Sequence, residues 1–179
     1  MAVSSRVIME PFDKKSVKHR EAIQTIEERL RPIDRLEVEG VGMTVQKCAY
    51  HPDCDNWLVI ARDGTPLCVF GVSRVRHGDM GHAVWMLAAV DVNRYKKEII
   101  RIGTNVLQHY AAIYGQVYNV ISIQNNQSRR WIAAAGAVFY EPFTANNERW
   151  QAFTIKGSEK HVRSTVDDGT DGAAGDTAI

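Results

Sequence analysis

Apolar residues return along the chain with two different periods, and the switches between those periods outline its elements. In residues 13–30, Val17, Ile23, Ile26 and Leu30 recur near helical spacing, with Asp13 available as an N-cap and Pro32 just past the end. An amphipathic helix is expected there. Trp57 to Arg62 and Thr65 to Val72 are β-rich runs around Asp63-Gly64, whose glycine accepts the positive φ of a tight turn, so an antiparallel hairpin is expected. His82 to Val90 (HAVWMLAAV) is apolar almost throughout, as in a strand covered on both faces, and belongs at the centre of a sheet. From Arg94 to Tyr114, Ile99, Ile102, Val106, Tyr110 and Ile113 recur in steps of three and four, widened by Ile100, Leu107 and Tyr114. Gly115 ends that helix, and Val117 to Ile123 follows as a strand parallel to the central one. A further helix, Gln127 to Ala135, stops at Gly136; Val138 to Glu141 and Trp150 to Lys156 are then strands joined by the polar linker Thr144 to Glu148. The order helix, hairpin, strand, helix, strand, helix, strand, strand describes an α/β domain with a mixed β-sheet flanked by helices.

The 179 residues suit one domain, and 45% hydrophobic with 24% charged residues is ordinary globular usage, which excludes disorder, collagen or coiled coil as descriptions of the whole. Three stretches are expected: an N-terminal helix and connecting segment over 1–45, an α/β core over 46–157, and a flexible acidic tail over 158–179. Lys+Arg 22 against Asp+Glu 21 gives a net charge of +1, so bulk charge demands neither nucleic acid nor an anionic membrane as a partner. Four of the acids, Asp167, Asp168, Asp171 and Asp176, fall in residues 164–179, which carry no Lys or Arg and leave the body basic. No apolar run reaches the roughly 20 residues of a membrane span, and Met1 to Arg6 opens no signal-peptide stretch, so general secretion is not expected.

Three cysteines, Cys48, Cys54 and Cys68, are read as free thiols of a reducing compartment. Cys48-x-x-His51-x-x-Cys54 places three potential ligands within seven residues, but zinc ribbons and fingers pair two such clusters; a His-Pro-Asp turn between ordinary cysteines is the simpler reading. His77-Gly-Asp79-Met-Gly-His82 reads as a glycine-rich loop between strands. No metal site is assigned.

Asn125-x-x-Ser128, with Gly136 eight residues on and a short strand after it, resembles the Asn-x-x-Ala/Ser…Gly-Phe segment of the GNAT N-acetyltransferases, and the element order from the Asp63-Gly64 hairpin onward is similar to theirs. The resemblance implies that the strands at His82–Val90 and Val117–Ile123 splay apart to admit acetyl-CoA, with the pyrophosphate on the N-terminus of the Arg94–Tyr114 helix. Asn125 to Gly157, through Ala135 to Phe139, Glu141, Thr144 and the closing Gln151-Ala-Phe-Thr-Ile-Lys-Gly157, also resembles the C-terminal end of the internal virion protein A family of short-tailed, podovirus-type phages. That second resemblance implies a GNAT-like scaffold that assists virion assembly beside other virion proteins, located in the particle and, during assembly, in the host cytoplasm.

The residues that would carry acetyl transfer depart from the GNAT pattern. No Arg/Gln-x-x-Gly-x-Gly/Ala loop occurs from Trp85 to Leu107; the turn is Asp91-Val-Asn-Arg-Tyr-Lys-Lys-Glu98. Arg94, Lys96 and Lys97 would therefore hold a phosphate as charged side chains rather than as a backbone cradle, with Asn125 and Ser128 as the other cofactor-binding candidates. The position of the family's proton-donating tyrosine is Ile132, which transfers no proton. Asp91 and Tyr140 are the remaining catalytic candidates. Arg129-Arg130 with the Arg94 cluster forms a basic stripe able to meet packaged DNA by weak electrostatics. Three functions follow: a non-enzymatic virion scaffold that needs no cofactor, an acyl-CoA-dependent N-acyltransferase with a degenerate pyrophosphate loop that takes acetyl-CoA, and a DNA-contacting accessory protein.

Overall fold

A computed structural model describes residues 5–157, and the acidic tail expected over 158–179 lies outside the described residues. The expected helix near the N-terminus is α1, Val17–Glu28, but its N-cap is Ser16, whose hydroxyl accepts the His19 N–H at 3.3 Å. Asp13 instead accepts the Lys15 N–H at 2.8 Å in a turn just upstream. Three elements that the hydrophobic pattern leaves unread join it: β1 (Val7–Pro11), α2 (Pro32–Gly40) and the single-turn α3 (Val45–Ala49). Pro32 begins α2 at its N-terminal turn, where a missing N–H costs nothing.

The hairpin of β2 (Cys54–Ala61) and β3 (Pro66–His77) turns at Gly64, whose φ is +92°, while the Asp63 carboxylate accepts the Thr65 N–H at 3.0 Å. Next come β4 (Gly81–Ala88), a short 3-10 stretch (Val90–Tyr95), α4 (Lys96–Tyr114), β5 (Gln116–Ser122) and α5 (Asn126–Ala134). Gly115 leaves α4 with a φ of +77°, the left-handed exit that glycine makes without strain. The chain closes with β6 (Val138–Phe139), β7 (Phe143–Ala145) and β8 (Glu148–Lys156). Part of the expected polar linker is thus strand: Asn146 and Asn147 have φ of 52° and 59°, and β7 pairs antiparallel with β8 around them in a tight asparagine hairpin.

The sheet runs β1-β2-β3-β4-β5-β8-β6, with β7 also paired to β8, and β4 is central. All neighbours are antiparallel except β4 and β5. These two pair only at His82↔Val117 and Ala83↔Tyr118, then part toward their C-terminal ends. Alternate residues of one strand feed two apolar layers. Val59 and Ala61 pack beneath α4 and α5 with Ile99, Leu107, Ile132 and Phe153, whereas Leu58 and Ile60 pack beneath α1–α3 with Ile23, Ile26, Val38 and Val45. Helices therefore cover both faces of the sheet, as expected. No helix among the described residues is long and apolar enough to cross a membrane.

Candidate functional site

Where β4 and β5 part, the sheet has a wedge-shaped opening that needs polar partners, because the backbone groups at its edges have lost their neighbour strand. Ala88, at the end of β4, turns its N–H and C=O into this wedge. Helix α2 and the segment before it satisfy both. The Asp34 carboxylate accepts the Ala88 N–H at 2.9 Å, and the Arg31 N–H donates to the Ala88 carbonyl at 2.9 Å. One turn further along α2, Glu37 reaches the end of β5, where its Oε1 accepts the Ser122 N–H at 2.9 Å and an Asn125 Nδ2–H at 3.1 Å. A single helix thus spans the opening, with one carboxylate on each strand.

Asp34 is 1% exposed and held bidentate by Arg31, at 2.8 Å and 2.6 Å. Burial pushes the Asp34 carboxyl up, against the pull of the Arg31 fork and the Ala88 N–H. Glu37 has no such fork. Burial pushes it up to about 7, with the bonds from Asn125 and Ser122 pulling the other way. Both donors bind Oε1; Oε2 accepts no hydrogen bond among the described residues and is not sealed from solvent. The result is an oriented carboxylate, half-protonated near neutral pH, with one oxygen unoccupied.

A cavity of about 80 Å³ connects this acid with the other side of the sheet. Its polar end holds Arg31, Asp34 and Glu37, and its walls come from β3, β4, β5, β8, α4 and α5, with Gly103 and Trp131 where the two helices face each other. A Cβ on Gly103 would stand 3.1 Å from the Trp131 ring, so the absent side chain keeps the helices close. Tyr110, at the apolar end, is the one tyrosine lining the cavity; burial pushes it up to about 12 and it stays a phenol.

The structure brings only some of the expected site residues together. Asn125 and Ser128 line the cavity: Asn125 caps α5 by accepting the Ser128 N–H at 3.2 Å, and its amide faces Glu37 rather than the cofactor side. Asp91 lies outside the cavity, gripped by Arg29 at 2.7 and 3.1 Å, and that bond holds its carboxyl below the usual range. Tyr140 is 46% exposed beside the Thr154 hydroxyl at 3.2 Å and also lies outside. Arg94, Lys96 and Lys97 are exposed at the start of α4. There the helix has no side-chain cap, and Lys96 and Lys97 form no ion pair among the described residues. Arg6 adds a fourth cation but is committed to Glu98 at 2.6 Å. Glu37 was invisible in the sequence, one acid among several in IDRLEVEG, because its chemistry arises from where α2 lies. Among the described residues, no three His, Cys, Asp or Glu side chains converge on a possible metal position.

The residues present fit coenzyme A through side chains. The uncapped first turn of α4 with Lys96, Lys97 and Arg94 can take a diphosphate, and the cavity is lined mostly by apolar side chains with the Asn119 and Asn125 amides among them. The fit lacks the glycine cradle, since the Val90–Tyr95 turn carries Cβ atoms throughout.

No protein-family model matches the sequence, and no curated relative does. Solved structures do match in shape. A variant of the spermidine N-acetyltransferase SpeG from Vibrio cholerae superposes with a TM-score of 0.60 at 10% identity, over 90% of this chain and 99% of that one. The dodecameric enzyme in an intermediate state gives 0.59 at 11% identity, over 90% and 99%. The same enzyme in complex with CoA and spermine gives 0.59 at 11% identity, over 87% and 98%. At such identities the likeness is one of fold, and the fold is GNAT-like.

Proposed function

We propose that the chain is an acyl-CoA-dependent N-acyltransferase with a degenerate pyrophosphate turn, acting on an amine that reaches Glu37 from the α2 side. The observation that carries this reading is the Glu37 carboxylate, poised near neutrality with Oε2 unoccupied, at the end of a cavity that passes between β4 and β5. A bound acyl-CoA would supply the activated thioester. Arg94, Lys96 and Lys97 would hold its diphosphate, and Val84 and Met86 of β4, with Asn119 and Val120 of β5, would border its arm. Glu37 Oε2 would accept the proton of the amine as its nitrogen bonds the acyl carbon and the carbon–sulfur bond breaks, the departing thiolate taking a proton from solvent, and the Ser122 and Asn125 N–H groups would steady the carboxylate meanwhile. Arg31 forks the Asp34 carboxyl beside the Ala88 N–H, which fixes the end of β4. The solved spermidine N-acetyltransferases support the reading by sharing the fold.

A second reading, the non-enzymatic phage virion scaffold with virion-protein and DNA contacts, rests on the sequence resemblance of Asn125–Gly157. The two readings part on one experiment. Purified protein is melted with acetyl-CoA up to millimolar concentration, then assayed for amine-dependent thiol release. Ligand at about 100 times its dissociation constant adds roughly 2.7 kcal/mol, a shift of several degrees. A shift that Lys96→Glu/Lys97→Glu removes, with thiol release that Glu37→Gln removes, establishes the transferase; no shift at millimolar ligand overturns it in favour of the scaffold.

A further inference from the structure

We infer that Asn125 is a positioning residue for Glu37: the asparagine that opens α5 holds the acceptor-side carboxylate across the sheet rather than contacting a cofactor. This rests on the reading of Glu37 as the base. Asn125 is 4% exposed and uses both ends of its amide. Oδ1 accepts the Ser128 N–H at 3.2 Å and so caps α5, which fixes the side chain and points Nδ2 at Glu37 Oε1, 3.1 Å away and 88 residues distant in sequence. The loop that carries it is itself closed, since the Asn125 N–H donates to the Ser122 carbonyl at 3.0 Å. The Ser122 N–H and the Asn125 amide therefore move as one unit, and both donate to the same carboxylate oxygen. Two donors on Oε1 hold that oxygen and leave Oε2 without a hydrogen bond among the described residues.

The charges around Glu37 leave this role to Asn125. Arg31 and Asp34, on its own side of the cleft, neutralise each other in a bidentate pair. Glu148, from β8, is turned to the Ser122 hydroxyl at 3.1 Å and the Gln124 amide at 3.0 Å. Arg129, from α5, donates to the Ile123 carbonyl and to Gln151. The 3.1 Å bond from Asn125 is thus the only side-chain hydrogen bond to Glu37 among the described residues.

The test is the titration of Glu37 in the purified full chain, followed by carboxyl carbon-13 resonances and assigned by the signal that Glu37→Gln deletes. Asn125→Ser keeps a good helix cap but cannot reach Glu37, and its Glu37 midpoint is expected to rise by about one pH unit, tenfold in proton affinity, for the loss of a hydrogen bond to the charged form. Asn125→Asp keeps the cap and sets a carboxylate against Glu37, so its midpoint should rise further. Should the serine protein not fold, the aspartate protein decides alone. If acyl transfer is measured, the acid limb of kcat/KM should move with the midpoint. An unmoved midpoint in a folded variant overturns the inference even where transfer is detected, whereas a moved midpoint in a protein that transfers nothing upholds the contact and overturns the base.

Discussion

Replacing Glu37 by glutamine should stabilise the protein above neutral pH while removing the group that the proposed chemistry needs. Gln Oε1 can accept the same two N–H bonds from Ser122 and Asn125, so the change removes charge and little else. Burial raises Glu37 from an ordinary value of 4.5 to about 7, which at roughly 1.36 kcal/mol per tenfold corresponds to about 3 kcal/mol of stability lost when the group must ionise. The folded protein holds this proton more tightly than the unfolded chain. Raising the pH through 4.5 therefore ionises the unfolded chain first, stability falls between about pH 4.5 and 7, and the loss is complete above about pH 8. Denaturant unfolding of both proteins at pH 4.5 and pH 8.5 measures this directly. The two should be close at pH 4.5, and Glu37→Gln should lead by up to about 3 kcal/mol at pH 8.5. Equal stabilities at pH 8.5, or a gap of one size at both pH values, would refute the argument that burial strains this carboxylate.

Arg31→Met should cost about 3–5 kcal/mol in denaturant unfolding, because Asp34 is left buried against Ala88 without its counter-ion, and a second change of Asp34→Leu should restore much of it. Gly81→Ala should destabilise strongly and lower the melting temperature: its φ is +94°, and a Cβ would stand 2.3 Å from the Gln116 carbonyl, where β4 and β5 meet. Gly71→Ala should behave likewise, its Cβ falling 2.1 Å from Asn56 Oδ1 and 2.8 Å from the Trp85 ring. Arg74→Ala, which deletes an exposed pair with Asp55, should leave the melting temperature within about a degree or two.

Much of the architecture follows from periodicity alone. The β2–β3 hairpin, the apolar β4, the long amphipathic α4, the crossover to β5 and the α5 motif are each set by neighbours within a few residues. The elements that periodicity misses take their shape from distant partners. β1 is a five-residue edge strand with Ile8 and Met9 exposed, so no burial pattern marks it. α2 is charged on most of its turns: Val38 is its one buried apolar residue, and the Asp34 and Glu37 carboxylates bond the strand ends. The same reason hid the candidate base. Asn125, by contrast, was legible as a motif residue, but its spacing says nothing about which side of the sheet its amide would serve.

The two-pair junction between β4 and β5 also divides the protein mechanically. β1 to β4 on one side and β5 with β8 on the other are stitched by longer antiparallel ladders, and among the described residues only His82↔Val117 and Ala83↔Tyr118 pair across the junction. In shape the sheet is two plates joined by a short hinge. Helices α4 and α5 back the hinge on one face, and on the other the Asp34 and Glu37 carboxylates act as a cross-tie between the free corners of the plates. Two carboxylates on one short helix, each bonded to the backbone of a different half, thereby close the sheet where its own ladder has run out.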